Sequence, residues 1–238
     1  MLKIENHEVV GWEHAIRGMR NPKNSWEKSD SCWDYEAYPK HIDLEDSIGV
    51  QYDGDGGFRV GPDDQKLMMT LRNAGTDHRK FMRMITVYLD ITAPLYWWKE
   101  FDTYKVGTVA NSCSTMHKIH EKEFCEDDFS HEYMNPLART TLRSVIKCLN
   151  TYRLLYNNWD EIPANTKSAH LIYEKKEAWW QMIQLLPTSY NQKRTVMLNY
   201  EVLANIYKSR RHHKLYEWHT LCDWIESLPY SELITGKE

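Results

Sequence analysis

Apolar residues fall along this chain in two rhythms, one of about 3.6 residues and one of about two. Trp12, Ala15, Ile16 and Met19 keep the helical spacing, which predicts a short amphipathic helix from near Gly11. Ile48 to Val60 reads as a hairpin, with Asp53-Gly54-Asp55-Gly56-Gly57 supplying the positive-φ turn. A helix capped by Asp63 or Asp64 is expected to run to Gly75, a glycine placed where helices end. Met84 to Ile91 is rich in β-branched and aromatic residues and predicts a strand. Pro94 then suits the first turn of a helix carrying Tyr96, Trp97, Glu100 and Phe101.

Two long helices follow. One spans about 136–158, with Leu142, Val145, Ile146, Leu149 and Tyr152 on its stripe. The other covers about 166–186 and is stopped by Pro187, after which Ser189-Tyr190-Asn191 makes a turn. Helices near 193–210 and 214–227, the second ended by Pro229, close the pattern. The class is α+β and helix-rich. No repeat, low-complexity tract or linker divides the chain, so one domain over 1–238 is expected.

With 238 residues the chain is long enough for one sizeable core. At 42% hydrophobic it is not a disordered tail. Ten Trp and fifteen Tyr are many; some belong to the core, and planar ligands or subunit interfaces also favour such residues. A net charge of -4 gives no general attraction for nucleic acid or anionic membrane. No apolar run approaches the ~20 residues needed to cross a bilayer. The start, Met1 to Glu8, lacks a signal-peptide pattern. Five scattered Cys without a C-x-x-C predict free thiols in a reducing cytoplasm.

The most informative segment is Ala93-Pro94-Leu95-Tyr96-Trp97-Trp98-Lys99-Glu100-Phe101-Asp102-Thr103-Tyr104-Lys105, read with Leu186-Pro187, Tyr190-Asn191 and the Asn199-x5-Asn205-x4-Arg210 spacing. With Ala15-Ile16-Arg17 near the start and His78 fifteen residues before Ala93, this ordered set resembles the flavin-dependent thymidylate synthases. The resemblance implies a helix-rich α+β domain with an antiparallel sheet and long helices, assembled as a homotetramer with active sites at subunit junctions. It implies FAD, a dUMP-like pyrimidine nucleotide, methylenetetrahydrofolate as carbon donor and NADPH as reductant. By that likeness His78, Thr103, Tyr104, Lys105, Asn199 and Asn205 face the flavin. Arg210 faces the base, and Glu100, Asn111 and Cys113 occupy further substrate positions, with Arg210 and Cys113 as the catalytic candidates.

The residue types suit that chemistry. An Asn amide donates and accepts, so it reads the edge of an isoalloxazine or a pyrimidine. Arg210 offers a planar fork for a carbonyl or a phosphate. The residues alone also admit a plainer reading, in which Asn199 and Asn205 are exposed helix polars and Arg210 a charge favoured by the helix dipole.

This chain departs from the family at its signature. Thr103-Tyr104-Lys105 stands in the Arg-His-Arg slot, and Lys105 alone keeps a positive charge. Glu100, Asn111 and Thr115 fill positions where the family places Gln, Glu and Arg, so its phosphate clamp is not visible. Cys113 replaces the family's Ser. It is either an activated thiol or a small buried residue. The departures leave open an enzyme that modifies another pyrimidine, for instance by hydroxymethylation, and a non-catalytic nucleotide- or protein-binding scaffold. Cys113, His117, His120 and Cys125 have no common structural-zinc spacing and read as a polar loop, so no metal is expected. The Gly54–Gly57 cluster lacks the phosphate-loop pattern.

Overall fold

The computed structural model describes residues 2–33 and 57–236. In chain order these form β1 (Lys3–Val10), α1 (Trp12–Arg20), β2 (Cys32–Trp33), β3 (Phe58–Arg59), α2 (Pro62–Asn73), β4 (Thr86–Pro94), α3 (Leu95–Phe101), β5 (Val109–Ser112) and α4 (Thr115–Lys118). They continue through α5 (Pro136–Asn157), α6 (Ala164–Ala169), α7 (Lys175–Leu185), β6 (Asn191–Asn199), α8 (Tyr200–Arg210), α9 (Tyr216–Glu226) and α10 (Glu232–Thr235). The class is α+β, helix-rich, with an antiparallel sheet, as the sequence pattern predicts. The chain divides into two compact units, one of Thr92–Glu100 and Ser112–Arg194, the other of Leu2–Ile91, Phe101–Asn111 and Thr195–Glu238.

In the second of these units, segments of β1, β4, β6 and β5 make a sheet in the order β1-β4-β6-β5. Ile85, Val87, Leu89 and Ile91 are buried while the residues between them are not, the period of a strand with one covered face. Val196 and Leu198 continue the same alternation on β6. The 193–210 segment is therefore strand up to Asn199 and helix only from Tyr200, which corrects the single helix read from the sequence. Trp12, Ala15, Ile16 and Met19 are buried on α1 as predicted. β2 and β3 pair antiparallel, Cys32 with Arg59 and Trp33 with Phe58. Residues 48–56 of the expected hairpin, with most of the Gly54–Gly57 cluster, lie outside the described residues.

Neither Asp63 nor Asp64 caps α2. Gly61 holds the cap position, and the helix ends at Asn73, before Gly75. Asp64 has a different task. It is fully buried and accepts hydrogen bonds from Arg20 Nε (2.6 Å), Ser29 Oγ (2.6 Å) and Ser31 Oγ (2.7 Å). Burial pushes its carboxyl upward. The bonds from Ser29, Ser31 and Arg20 outweigh burial and hold it below the ordinary 3.8. Elsewhere in this unit Cys222 on α9 is buried, and burial pushes its thiol up to about 11.

The other unit is built on α5 and α7. Asn135 caps α5 by accepting from the Ala138 amide at 2.9 Å, and Pro136 sits in its first turn. Leu142, Ile146 and Leu149 form the buried stripe, packed with Met182, Ile119, Phe124 and Phe129. The predicted 166–186 helix is two helices. Leu171 takes φ +55 after α6, and α7 restarts with a reciprocal capping box between Glu174 and Glu177. Pro94 ends β4 rather than opening α3, which begins at Leu95. Among the described residues no helix is long and apolar enough to cross a membrane.

Because Arg20 is itself only 5% exposed, Asp64→Asn strands a buried guanidinium and is expected to cost about 3–5 kcal/mol. The folded carboxyl lies below its unfolded value, so its contribution is complete above about 3.8 and is lost as pH falls through the lower folded value. Urea denaturation between pH 7 and pH 3 should show that acid-side loss in the native chain and a smaller one in the variant.

Candidate functional site

The expected site residues of the second unit gather around the start and end of α8. Asn199 sits in extended backbone at φ -133, and its Oδ1 accepts the Val202 amide at 3.1 Å, which makes it the N-cap of α8. Its Oδ1 is thereby spent, and Nδ2 remains for other partners. Against this amide lies the loop that follows α3. Gly107 there has φ +76, and a Cβ on it would come within 2.9 Å of Asn199 Nδ2 and 3.2 Å of Val202 Cγ2. Only glycine lets the loop lie so close. The next residue, Thr108, carries a buried Oγ1 with no hydrogen-bond partner among the described residues.

The far end of α8 holds Arg210. Its Nε donates to the Tyr104 hydroxyl at 2.9 Å. Its Cζ lies 4.6 Å from the Trp218 ring and 5.6 Å from the Tyr104 ring. Phe101 stacks with Trp218, ring centres 6.4 Å apart at 19°. Trp218, supplied by α9, is fully buried. Aromatic faces attract a guanidinium, so the fork is held in one orientation. The first turn of α8 also carries Glu201, which is 9% exposed and pairs with Arg83 and, at 3.5 Å, with Arg79. Those arginines belong to the 3-10 segment Arg79–Arg83, whose N-cap is His78. The ion pairs tie the segment after His78 to the same helix.

Of the residues named from the sequence, Tyr104 and Arg210 meet in a hydrogen bond, while Asn199 stands at the opposite end of α8. The sequence mistook Asn199 for a mid-helix residue, so the offset to Asn205 is from cap to helix and not along one helix. Asn205 is exposed on α8, and Thr103 and Lys105 are exposed on the loop. His78 and Asn111 are exposed as well. Trp218, Gly107, Thr108 and Glu201 were not singled out. Gly107, a lone glycine just after the signature slot, was the available signal.

Glu100 and Cys113 belong to the other unit. Glu100 is half-buried on α3. Cys113 is exposed, which overturns the buried-residue reading. Its amide donates to the Lys193 carbonyl at 3.0 Å, and its own carbonyl accepts from Gln192 Nε2 at 3.1 Å. It lines a cavity of about 110 Å³ with Tyr190, Lys118 and Lys193. Nearby, His117 Nδ1 bonds Ser114 Oγ at 2.8 Å and Cys125 Sγ donates to Asp128 at 3.4 Å.

Solved structures share this architecture. Thymidylate Synthase X from Helicobacter pylori, crystallised with FAD and dUMP, matches 99% of this chain and 98% of its own at a TM-score of 0.61 and 16% identity. A second structure of the flavin-dependent thymidylate synthase from that organism, also complexed with FAD and dUMP, covers the same shares at 0.57 and 16%. The UMP/dUMP methylase PolB from Streptomyces cacaoi, bound with 5-Br dUMP, matches 99% of this chain and 94% of its own at 0.52 and 11%. The chain has the fold of the flavin-dependent thymidylate synthases. No protein-family model and no curated protein matches its sequence.

A flavin-dependent thymidylate synthase fold raises the question of whether the residues here suit a flavin. Thr108 Oγ1 is buried without a partner among the described residues, which is uncommon for a hydroxyl, and Asn199 keeps its Nδ2 beyond the cap bond made by Oδ1. An amide and a hydroxyl are the group types that pair with the mixed donor and acceptor edge of an isoalloxazine or a uracil. The exposed Asn205 amide and Lys105 ammonium add a further amide and a cation for phosphate. In chemical type these groups are compatible with a flavin ring edge.

The cap and the ligand roles of Asn199 are separable. Asn199→Ala should cost about 1 kcal/mol through the lost cap, and Asn199→Ser only a few tenths. Gly107→Ala should cost about 1–2 kcal/mol, because a Cβ at positive φ is strained even before it meets the amide. Urea denaturation of the three variants checks the ranking.

Proposed function

We propose that this chain is a methylase-like enzyme of pyrimidine nucleotides, working as one domain over residues 1–238 on the thymidylate synthase fold. In this reading dUMP, or a related pyrimidine nucleotide, is methylated at C5, with methylenetetrahydrofolate as carbon donor and NADPH as reductant. FAD, a homotetrameric assembly and a cytoplasmic setting belong to the same reading. A bound flavin supplies the hydride transfer that takes a methylene to a methyl group.

The observation that supports the reading is the loop–α8 junction, where Gly107 lets the loop lie against Asn199 and the next residue, Thr108, keeps a buried Oγ1 without a partner among the described residues. Asn199 Nδ2 and Thr108 Oγ1, with Asn205, orient a planar heterocycle by its edge. Arg210, fixed by Tyr104 and Trp218, presents its fork to the base, where it polarises a carbonyl without needing to reorganise. His78 and Lys105 border the same helix and loop and bind rather than react.

One observation favours a second reading. The Arg210 Nε is already bonded to Tyr104, and Thr103-Tyr104-Lys105 brings one cation to a slot where the family has three basic residues. A scaffold that binds a nucleotide without turning it over, or an enzyme for a modified pyrimidine, has the same features.

Titration with FAD followed by absorbance, then tritium release from C5-labelled dUMP with methylenetetrahydrofolate and NADPH, separates these readings. Bound flavin with tritium release is the expected result. Bound flavin without release assigns a different pyrimidine, and a chain that takes up no flavin is a scaffold. Arg210→Ala should weaken dUMP binding by about 1.5–3 kcal/mol in calorimetry, as the loss of a charge-assisted bond does. Unchanged affinity removes Arg210 from the site. Asn199→Ser should weaken flavin binding while its denaturation midpoint stays near that of the native chain.

A further inference from the structure

Gln192 and Arg194 stand two residues apart on β6 and share one face of the strand. Arg194 Nε donates to Gln192 Oε1 at 3.0 Å. That bond fixes which way the amide turns, because a guanidinium only donates. Gln192 Nε2 is thereby directed at the segment after β5, where it donates to the Cys113 carbonyl and to Thr115 Oγ1, each at 3.1 Å. The amide oxygen serves Arg194, and both amide hydrogens serve the segment. An amide so occupied has no donor left for a ligand, and its effect passes through the residues it holds.

The support behind Gln192 is aromatic and buried. Arg194 Cζ lies 4.2 Å from the centre of the Trp98 ring, and Trp98 Nε1 donates to the Gln192 carbonyl at 2.9 Å. Trp98 is itself buried. Gln192 is held at its backbone by this indole and at its side chain by the arginine laid on the same ring. Cys113 is in turn held at both backbone groups, its amide donating to the Lys193 carbonyl and its carbonyl accepting from Gln192. Thr115 Oγ1 accepts, which leaves its hydroxyl proton for another acceptor. Cys113 and Thr115 both line the cavity of about 110 Å³, and every residue of this relay belongs to one unit. The same two residues occupy substrate positions that the resemblance to the flavin-dependent thymidylate synthases implies.

We infer that Gln192 is a positioning residue of the nucleotide site: it pins the Cys113 carbonyl, leaves the Thr115 hydroxyl proton to an acceptor on the nucleotide, and makes no contact with the nucleotide itself. The inference rests on the pyrimidine-methylase reading, which seats the substrate at this segment.

Calorimetry with dUMP on the chain supplied with FAD tests it, in the native protein, in Gln192→Met, in Thr115→Val and in the double variant. Methionine keeps the length of the side chain and removes its hydrogen bonds. Gln192→Met should weaken dUMP binding about ten-fold while FAD affinity stays native. Amide exchange over residues 113–115 should quicken about ten-fold in that variant and stay native in α5. The double variant should bind dUMP within about two-fold of the weaker single variant, because both changes break one link. A lower melting temperature with native dUMP affinity marks a purely structural role and overturns the proposal. So do native exchange over 113–115 and single effects that multiply in the double variant. If Gln192→Met does not fold, Thr115→Val decides, and native dUMP affinity there overturns the proposal. A native chain with no affinity for dUMP overturns the methylase reading and the proposal together, whereas native binding that Gln192→Met leaves unchanged overturns the proposal alone.

Discussion

The side chain of Asn199 stands where strand β6 becomes helix α8, and its hydrogen bond to the Val202 amide caps the helix on which the surrounding contacts are built. A helix start leaves amides without partners, and an Asn at that position satisfies one with its oxygen while keeping its nitrogen. The cap fixes where α8 begins, and its buried residues from Tyr200 to Tyr207 hold the helix in place. Along it, Glu201 meets Arg79 and Arg83 in the first turn and Arg210 meets Tyr104 at the other end. Gly107 completes the constraint by leaving no side chain between the loop and the cap.

Arg210 is held by different forces. A guanidinium against Trp218 and Tyr104 has traded part of its hydration for ring faces, which suits its weak hydration better than it would suit a lysine. Such a group arrives at its partner already oriented. A flexible lysine at the same place would have to order four methylenes on binding, at a cost in rotamer entropy. This explains how a chain with few cations near its signature loop can still present one in a defined direction.

Much of this was legible in the sequence, for reasons that particular residues make plain. The stripe from Leu142 to Tyr152 has a strict helical period, and α5 follows it from Pro136 to Asn157. The strand before Ala93 was legible because its alternation is uninterrupted. The β6–α8 boundary was not. No Gly or Pro marks it, and its one signal, Asn199, is also a plausible helix polar. Nor was the break between α6 and α7, where Leu171, a residue with no preference for positive φ, takes φ +55. Within the site, Tyr104 and Arg210 were named by position in a motif. Their hydrogen bond spans 106 residues of sequence, and Trp218 joins them from a helix that no motif mentions. Tertiary proximity of that kind leaves no periodic trace.

The five cysteines differ in their surroundings, and the difference has a practical consequence. Cys32, Cys113 and Cys125 are exposed, whereas Cys222 is buried on α9 with its proton held up to about 11. Only a thiolate attacks an electrophile. An alkylating reagent at neutral pH therefore marks the outer sulfurs at once and reaches the inner one only when its surroundings part. The slow arrival of that last adduct is a clock for the opening of α9 from its neighbours, wound by the fold itself and readable by mass alone.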